Sequence, residues 1–238
     1  MTLMIDQIKL FNSLKNSSSV CRYPKEKYPI GESHCRWFSG QICKPWIRTC
    51  SQLPRDSIYL ELGSFLGMGS TRLALDANPT LRAYCVDHFA MRINKHGKKH
   101  KAECSYKENG EPVDYLRGIG TQLEHFLNNT WKRQDRIAPI QQTINAELLH
   151  KFADWGIKPD LVMVDDAHEH DPVLERLRAI SKLWPEAIVV LDDFVPMWDG
   201  VRTGLRAAFK EGLYSRDDAT LAGRRLMIIR PNQSRKDT

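Results

Sequence analysis

A glycine-rich turn between an apolar strand and a helix, followed downstream by two apolar runs that end in carboxylates, constrains this chain more than any other feature. In ELGSFLGMGST, Gly63, Gly67 and Gly69 follow the run at 58–62 and precede the helix-forming Thr71, Arg72 and Leu73. Glycine lets the backbone bend sharply and approach a ligand closely, and a helix N-terminus favours negative charge. Further on, Leu161-Val162-Met163-Val164 ends in Asp165, with His168 three residues later, and Ile188-Val189-Val190-Leu191 ends in Asp192 and Asp193. Two such strands put their terminal carboxylates at one rim of a parallel sheet, where open α/β folds bind ligands. Three carboxylates converging there repel one another unless a cation joins them. The pattern predicts a metal site with a histidine beside it.

From residue 57 onward, strand and helix patterns alternate. Runs at 58–62, 81–86, 137–141, 161–164, 188–191 and 225–230 read as strands; stretches at 71–75, 121–129, 146–155, 174–183 and 201–211 read as helices. Repeated units of this length imply an α/β fold with a doubly wound, mostly parallel sheet. Residues 1–52 lack this alternation. They combine Pro24, Pro29 and Pro45 with Tyr23, Tyr28, Trp37, Phe38 and Trp46, which predicts a packed N-terminal cap or substrate lid. Its first residues read as an amphipathic helix with Met4, Ile8, Phe11 and Leu14 or Lys15 along one side. The main domain is expected over 53–232, with a frayed polar tail at 233–238.

A chain of 238 residues is long enough for one domain with a full core, and 42% hydrophobic with 27% charged residues is ordinary for a soluble protein. No apolar run approaches the roughly 20 residues that span a bilayer. The N-terminus lacks a signal-peptide core, so a cytoplasmic protein without a membrane partner is expected. The six cysteines fit reduced thiols. Four lie between Cys21 and Cys50, with His34 beside Cys35, but no C-x-x-C pair exists and the gaps are irregular; free, buried or half-buried thiols are expected rather than zinc. Much of the net charge of +6 sits at Arg92, Lys95, Lys98, Lys99 and Lys101, with His96 and His100. A basic loop can attract phosphate or nucleic acid. Without interleaved aromatics it reads as a solvated surface segment, and nucleic acid is not the expected partner. Homo-oligomer formation is left open.

The glycine spacing fits nicotinamide dinucleotides or S-adenosylmethionine (SAM). Short-chain dehydrogenases need a Tyr-x-x-x-Lys pair downstream of the glycines; the match here, Tyr23 and Lys27, lies upstream. Glu61 at the end of the first strand repels a pyrophosphate but can hydrogen-bond an ammonium group, directly or through water. Asp87, ending the next strand, is placed to accept from both hydroxyls of an adenosine ribose. Together they favour SAM.

In these segments the chain resembles the class I SAM-dependent methyltransferases, and among them the metal-dependent O-methyltransferases that include catechol, caffeoyl-CoA and macrolide-sugar enzymes. ELGSFLGMGST, VMVDDAH and VVLDDF with its sequel VPMWDGV carry the likeness, over about residues 55–230, and a histidine three places after the first metal aspartate is closest to the sugar-hydroxyl branch. The resemblance implies a Rossmann-like sheet with an antiparallel C-terminal strand. It implies that Glu61, Gly63 and Asp87 hold SAM, with Ser64, Gly67, Ser70, His88 and Asp165 around the same site. It implies that Asp165, Asp192 and Asp193 ligate Mg²⁺ or a similar divalent cation, and that His168 is the general base. Gly69 stands where relatives often carry a serine, leaving Ser70 or Thr71 to contact the SAM carboxylate. Gln141-Gln142-Thr143 matches no adenine-contacting pattern, and the first 50 residues match nothing, so the acceptor is unspecified.

The expected reaction is methyl transfer to a hydroxyl of a small molecule, such as a sugar or glycosylated natural product. A hard cation lowers the pKa of the bound hydroxyl and His168 takes its proton. Plainer readings stand beside this one. Asp165 alone is a strand-end cap, Asp193 a helix N-cap, and Asp166 and His170 serve equally as ligand or base. Trp198 and Phe194 wall an acceptor pocket or simply pack. Competing functions are methyl transfer to nucleic acid or a phosphorylated substrate through the basic loop, and a SAM-binding module without catalysis.

Overall fold

In β1 (Ile58–Leu62), Ile58, Leu60 and Leu62 point to one side and Tyr59 and Glu61 to the other, yet all five are buried. Such a strand needs cover on both faces. The computed structural model, which describes residues 6–28, 42–89, 107–108, 111–112 and 121–231, supplies it as a sheet between two helical layers. Ahead of β1 come α1 (Gln7–Lys15) and α2 (Cys43–Ser51); after it come α3 (Ser70–Ala77), β2 (Arg82–Asp87) and a two-residue hairpin, β3 (Lys107–Glu108) with β4 (Glu111–Pro112). Then follow α4 (Gln122–Thr130), a 3₁₀ turn (Trp131–Arg136), β5 (Ile137–Gln141), α5 (Ala146–Asp154), β6 (Leu161–Val164), α6 (His170–Leu183), β7 (Ile188–Leu191), α7 (Asp199–Lys210), β8 (Ala219–Ala222) and β9 (Leu226–Ile229).

The main sheet has seven strands in the order β5-β2-β1-β6-β7-β9-β8. The first five are parallel; β9 runs antiparallel to β7, and β8 antiparallel to β9. The expected doubly wound α/β sheet is therefore present, but its antiparallel end has two strands rather than one. The second, β8, has no buried residue, so no apolar run announced it. From β1 the chain builds outward first through β2 and β5, then returns to build through β6 and β7. The strand order reverses between β1 and β6, and a crevice opens beyond the strand ends there.

Leu60, Val86, Ile140, Val162 and Leu191 pack with Phe11, Phe152, Leu177 and Leu205 on one face. Tyr59, Cys85, Met163 and Ile228 pack with Trp46, Leu75 and Phe126 on the other. The N-terminal region serves both layers, α1 through Phe11 and α2 through Trp46 and Cys50. A fully buried side chain of Phe size contributes about 1.5–3 kcal/mol, which ties α1 to the core. Between the two helices the chain passes the outer edge of β5, where Cys21 N–H donates to Pro139 O at 2.7 Å, and Tyr23 Oη meets Thr130 Oγ1 at 2.7 Å. Helix starts follow their cap residues: the Asp6 carboxylate accepts from Ile8 and Lys9 N–H, Thr121 and Glu124 form a reciprocal capping box, and Asn145 accepts from Leu148 N–H. Cys21 and Cys43 are half-buried and Cys50 and Cys85 buried, all as free thiols. Met4, His34, Cys35, Trp37, Phe38, the basic stretch at 92–101, Cys104 and the tail at 233–238 lie outside the described residues.

Candidate active site

At the end of β1 the chain turns sharply. Gly63 has φ +92°, a conformation that L side chains rarely adopt, and a Cβ there would sit 2.4 Å from the carbonyl oxygen of Asp165. This close approach binds the glycine turn to the end of β6 at the strand-order reversal. Gly67, at φ +67°, packs as tightly on Thr130 and Phe126. Ser64 is buried within the turn.

Glu61 lies wholly inside the fold. Its side chain has 0% exposure; Oε1 accepts from Tyr59 Oη at 2.8 Å and from Ser70 Oγ, and Oε2 accepts from Thr71 Oγ1. Burial pushes its carboxyl above the ordinary range, against the pull of these hydroxyls. In this arrangement the carboxylate meets these hydroxyls. It ties the first turn of α3 back onto β1 and draws the Ser70 and Thr71 hydroxyls inward.

Asp87, at the end of β2, is buried and fastens the same turn from its other side. Its Oδ2 accepts from Phe65 N–H at 2.8 Å and its Oδ1 from Phe89 N–H at 2.7 Å, with His88 Nδ1 at 3.0 Å. A carboxylate oxygen has two lone pairs, so Oδ2 keeps one for a ligand. His88 is half-exposed beside it.

The acidic rim lies at the ends of β6 and β7. Donor atoms of Asp165, His168 and Asp193 all fall within 4.8 Å of one another. Burial, and then the neighbouring Asp192 and Asp193, hold the Asp165 carboxyl well above the usual carboxylate range, with Arg225 pulling the other way. His168 Nε2 lies 2.8 Å from Asp193 Oδ2, and its ring stacks on Trp198 with centroids 4.3 Å apart and planes at 29°. Asp193 takes φ +56°. It caps no helix: the N-cap position of α7 is Trp198. α7 comes close because Gly200 has no side chain; a Cβ there would meet the His168 carbonyl oxygen at 2.1 Å.

Asp192 is held differently from the other rim acids. It is only 3% exposed and both its oxygens bond Arg225, Oδ1 to Nε at 2.8 Å and Oδ2 to Nη2 at 3.2 Å, so it stands apart from the convergent three. Arg225 Nη2 also reaches Asp193 Oδ1 at 2.7 Å. Of the alternatives, Asp166 is paired with buried Arg176 at 3.0 Å, and His170 starts α6 with its side chain half-exposed. Neither joins the cluster. Arg225 and Arg176 were not anticipated; the one available hint was that buried acids need basic partners from somewhere in the chain.

A family profile described as "Methyltransferase domain" matches residues 60–194, more than half of the chain. No curated protein matches the sequence. Among solved structures, the calicheamicin methyltransferase CalS11 is 14% identical with TM-score 0.51, over 94% of this chain and 90% of its own. A precorrin-6y C5,15-methyltransferase from Geobacter metallireducens GS-15 is 13% identical with TM-score 0.48, over 78% and 82%. The mycinamycin-pathway methyltransferase MycE, in complex with Mg and SAH, is 14% identical with TM-score 0.48, over 80% and 49%. At these identities the likeness is one of fold.

Proposed function

The chain belongs to the class I SAM-dependent methyltransferases, and on that premise we propose that it is a metal-dependent O-methyltransferase acting on a hydroxyl of a small molecule, a sugar or glycosylated natural product. The observation that carries this reading is the meeting of Asp165, His168 and Asp193 at the rim beside the glycine turn. Carboxylate oxygens suit a hard divalent cation such as Mg²⁺ or Mn²⁺. Asp165 and Asp193 would hold the ion; the Gly63 turn, Asp87 and His88 would hold SAM. When bound, the ion lowers the pKa of a coordinated hydroxyl and SAM supplies an electrophilic sulfonium methyl carbon.

The remaining work falls to the protein. In the tautomer that donates from Nε2 to Asp193 Oδ2, His168 has Nδ1 as its acceptor nitrogen. An imidazole held in that tautomer is suited to take a hydroxyl proton. Trp198, flat against the ring, fixes its plane and with Phe194 walls the side from which an acceptor arrives. A sugar has both the hydroxyl and the flat apolar face such a wall accommodates.

The test is transfer of labelled methyl from SAM to a panel of hydroxylated acceptors, nucleotide sugars first, with and without chelator. Chelator is expected to abolish transfer while SAM binding persists. Full activity in chelator overturns the metal assignment, and transfer only to nucleic acid, collapsing with salt, overturns the acceptor class.

A further inference from the structure

Resting on the reading just given, we propose that Arg225 is a built-in competitor of the divalent ion, whose guanidinium occupies the Asp192–Asp193 side of the site and must withdraw before the ion is fully ligated. The residue stands just ahead of β9, in the turn that joins it to β8, 33 positions beyond Asp192 in sequence. It spans both aspartates: Nε and Nη2 engage the two oxygens of Asp192 at 2.8 and 3.2 Å, and Nη2 also holds Asp193 Oδ1 at 2.7 Å. A planar guanidinium paired in this bidentate way matches carboxylate geometry as a single ammonium cannot.

The consequence is electrostatic. Asp165, Asp192 and Asp193 together offer up to three negative charges at the rim, and Arg225 cancels one while blocking three of the oxygens a cation would use. Only the Asp165 carboxylate and Asp193 Oδ2 are free of it, and Oδ2 already faces His168 Nε2 at 2.8 Å. Two carboxylates are a thin ligand set for an ion that prefers six oxygens. The Arg225 side chain is 29% exposed, so the guanidinium has a way out to solvent while the backbone stays held by Phe194 N–H, which donates to Arg225 O at 2.9 Å. Departure of the guanidinium frees Asp192 as a third ligand. This ordering keeps the buried acids paired when no ion is present, and it sets a weak, conditional affinity for the ion.

The experiment is direct Mn²⁺ binding, by calorimetry and by the loss of free-Mn²⁺ paramagnetic signal, to the whole protein and its Arg225 variants without SAM or acceptor. Removing one positive charge a few ångströms from the ion should tighten binding at least about tenfold in Arg225→Met, with Arg225→Lys between that variant and the parent. Equal or weaker binding by a folded Arg225→Met overturns the proposal and leaves the metal reading standing. No binding by any of the proteins overturns the metal reading and the proposal with it. Crystals of the unmodified protein grown with Mn²⁺ give a measurement independent of any variant: Arg225 should be off Asp193, and an ion bound with the 2.7 Å contact intact overturns the proposal.

Discussion

Glu61 and the rim acids end neighbouring strands of one sheet, yet they live under opposite rules. Glu61 is closed in by three neutral hydroxyls from its own strand and from α3, with no exposed surface. Asp165, Asp192 and Asp193 crowd together, are answered by one arginine, and stand next to a histidine that is 30% exposed. A buried carboxylate met on both oxygens by local hydroxyl donors acts as a structural tie. Carboxylates that outnumber their cations at a rim are an unfinished ligand set.

That contrast can be broken from either side. The largest effect is expected at the rim: His168→Ala should lower turnover by about 10²- to 10⁴-fold, the range for loss of a positioned base, with SAM affinity within about twofold. Steady-state kinetics beside a SAM titration checks it, and an unchanged rate moves the base elsewhere. At the other pole, Glu61→Ala strands three buried hydroxyls and should cost about 2–3 kcal/mol in chemical denaturation. If turnover per folded molecule falls as far as in His168→Ala, the division between tie and site is wrong.

A finer probe uses pH. Burial raises the Glu61 carboxyl above its ordinary value of 4.5, so the folded protein keeps that proton to higher pH than the unfolded chain does. Its contribution to stability is fully present below about pH 4.5 and is lost as pH rises through the folded value. Glu61→Gln should therefore show a flatter stability profile than the parent above pH 4.5, by denaturant titration at several pH values; parallel profiles would show that Glu61 does not titrate there. The smallest effect belongs to Trp198. Trp198→Ala should reduce kcat by about tenfold or less, read by steady-state kinetics, and Trp198→Phe should restore most of it.

What could be read in the sequence was what nearest neighbours dictate. Apolar runs ending in Asp165 and Asp192-Asp193, and glycines ahead of Thr71, are local patterns, and each lies at the rim where the pattern put it. The Glu61 enclosure was half-readable, because Ser70 and Thr71 begin the helix that returns over β1. What escaped was pairing at long range. Nothing local says that Arg225 reaches back to Asp192, or that Arg176 takes Asp166 out of contention, because both depend on how antiparallel strands and α6 dock. β8 escaped for a related reason: its residues are half or fully exposed, so burial left no periodic trace.

The passage of the N-terminal segment along β5 bears on how the molecule behaves in crowded solution. An open sheet margin invites a foreign chain to add a strand, the first step of many aggregates. At β5 that invitation is refused twice, since Pro139 has no N–H to offer and its carbonyl is already taken by Cys21. Losing the first two dozen residues would free the Pro139 carbonyl and leave the missing N–H of the proline as the remaining guard at that position.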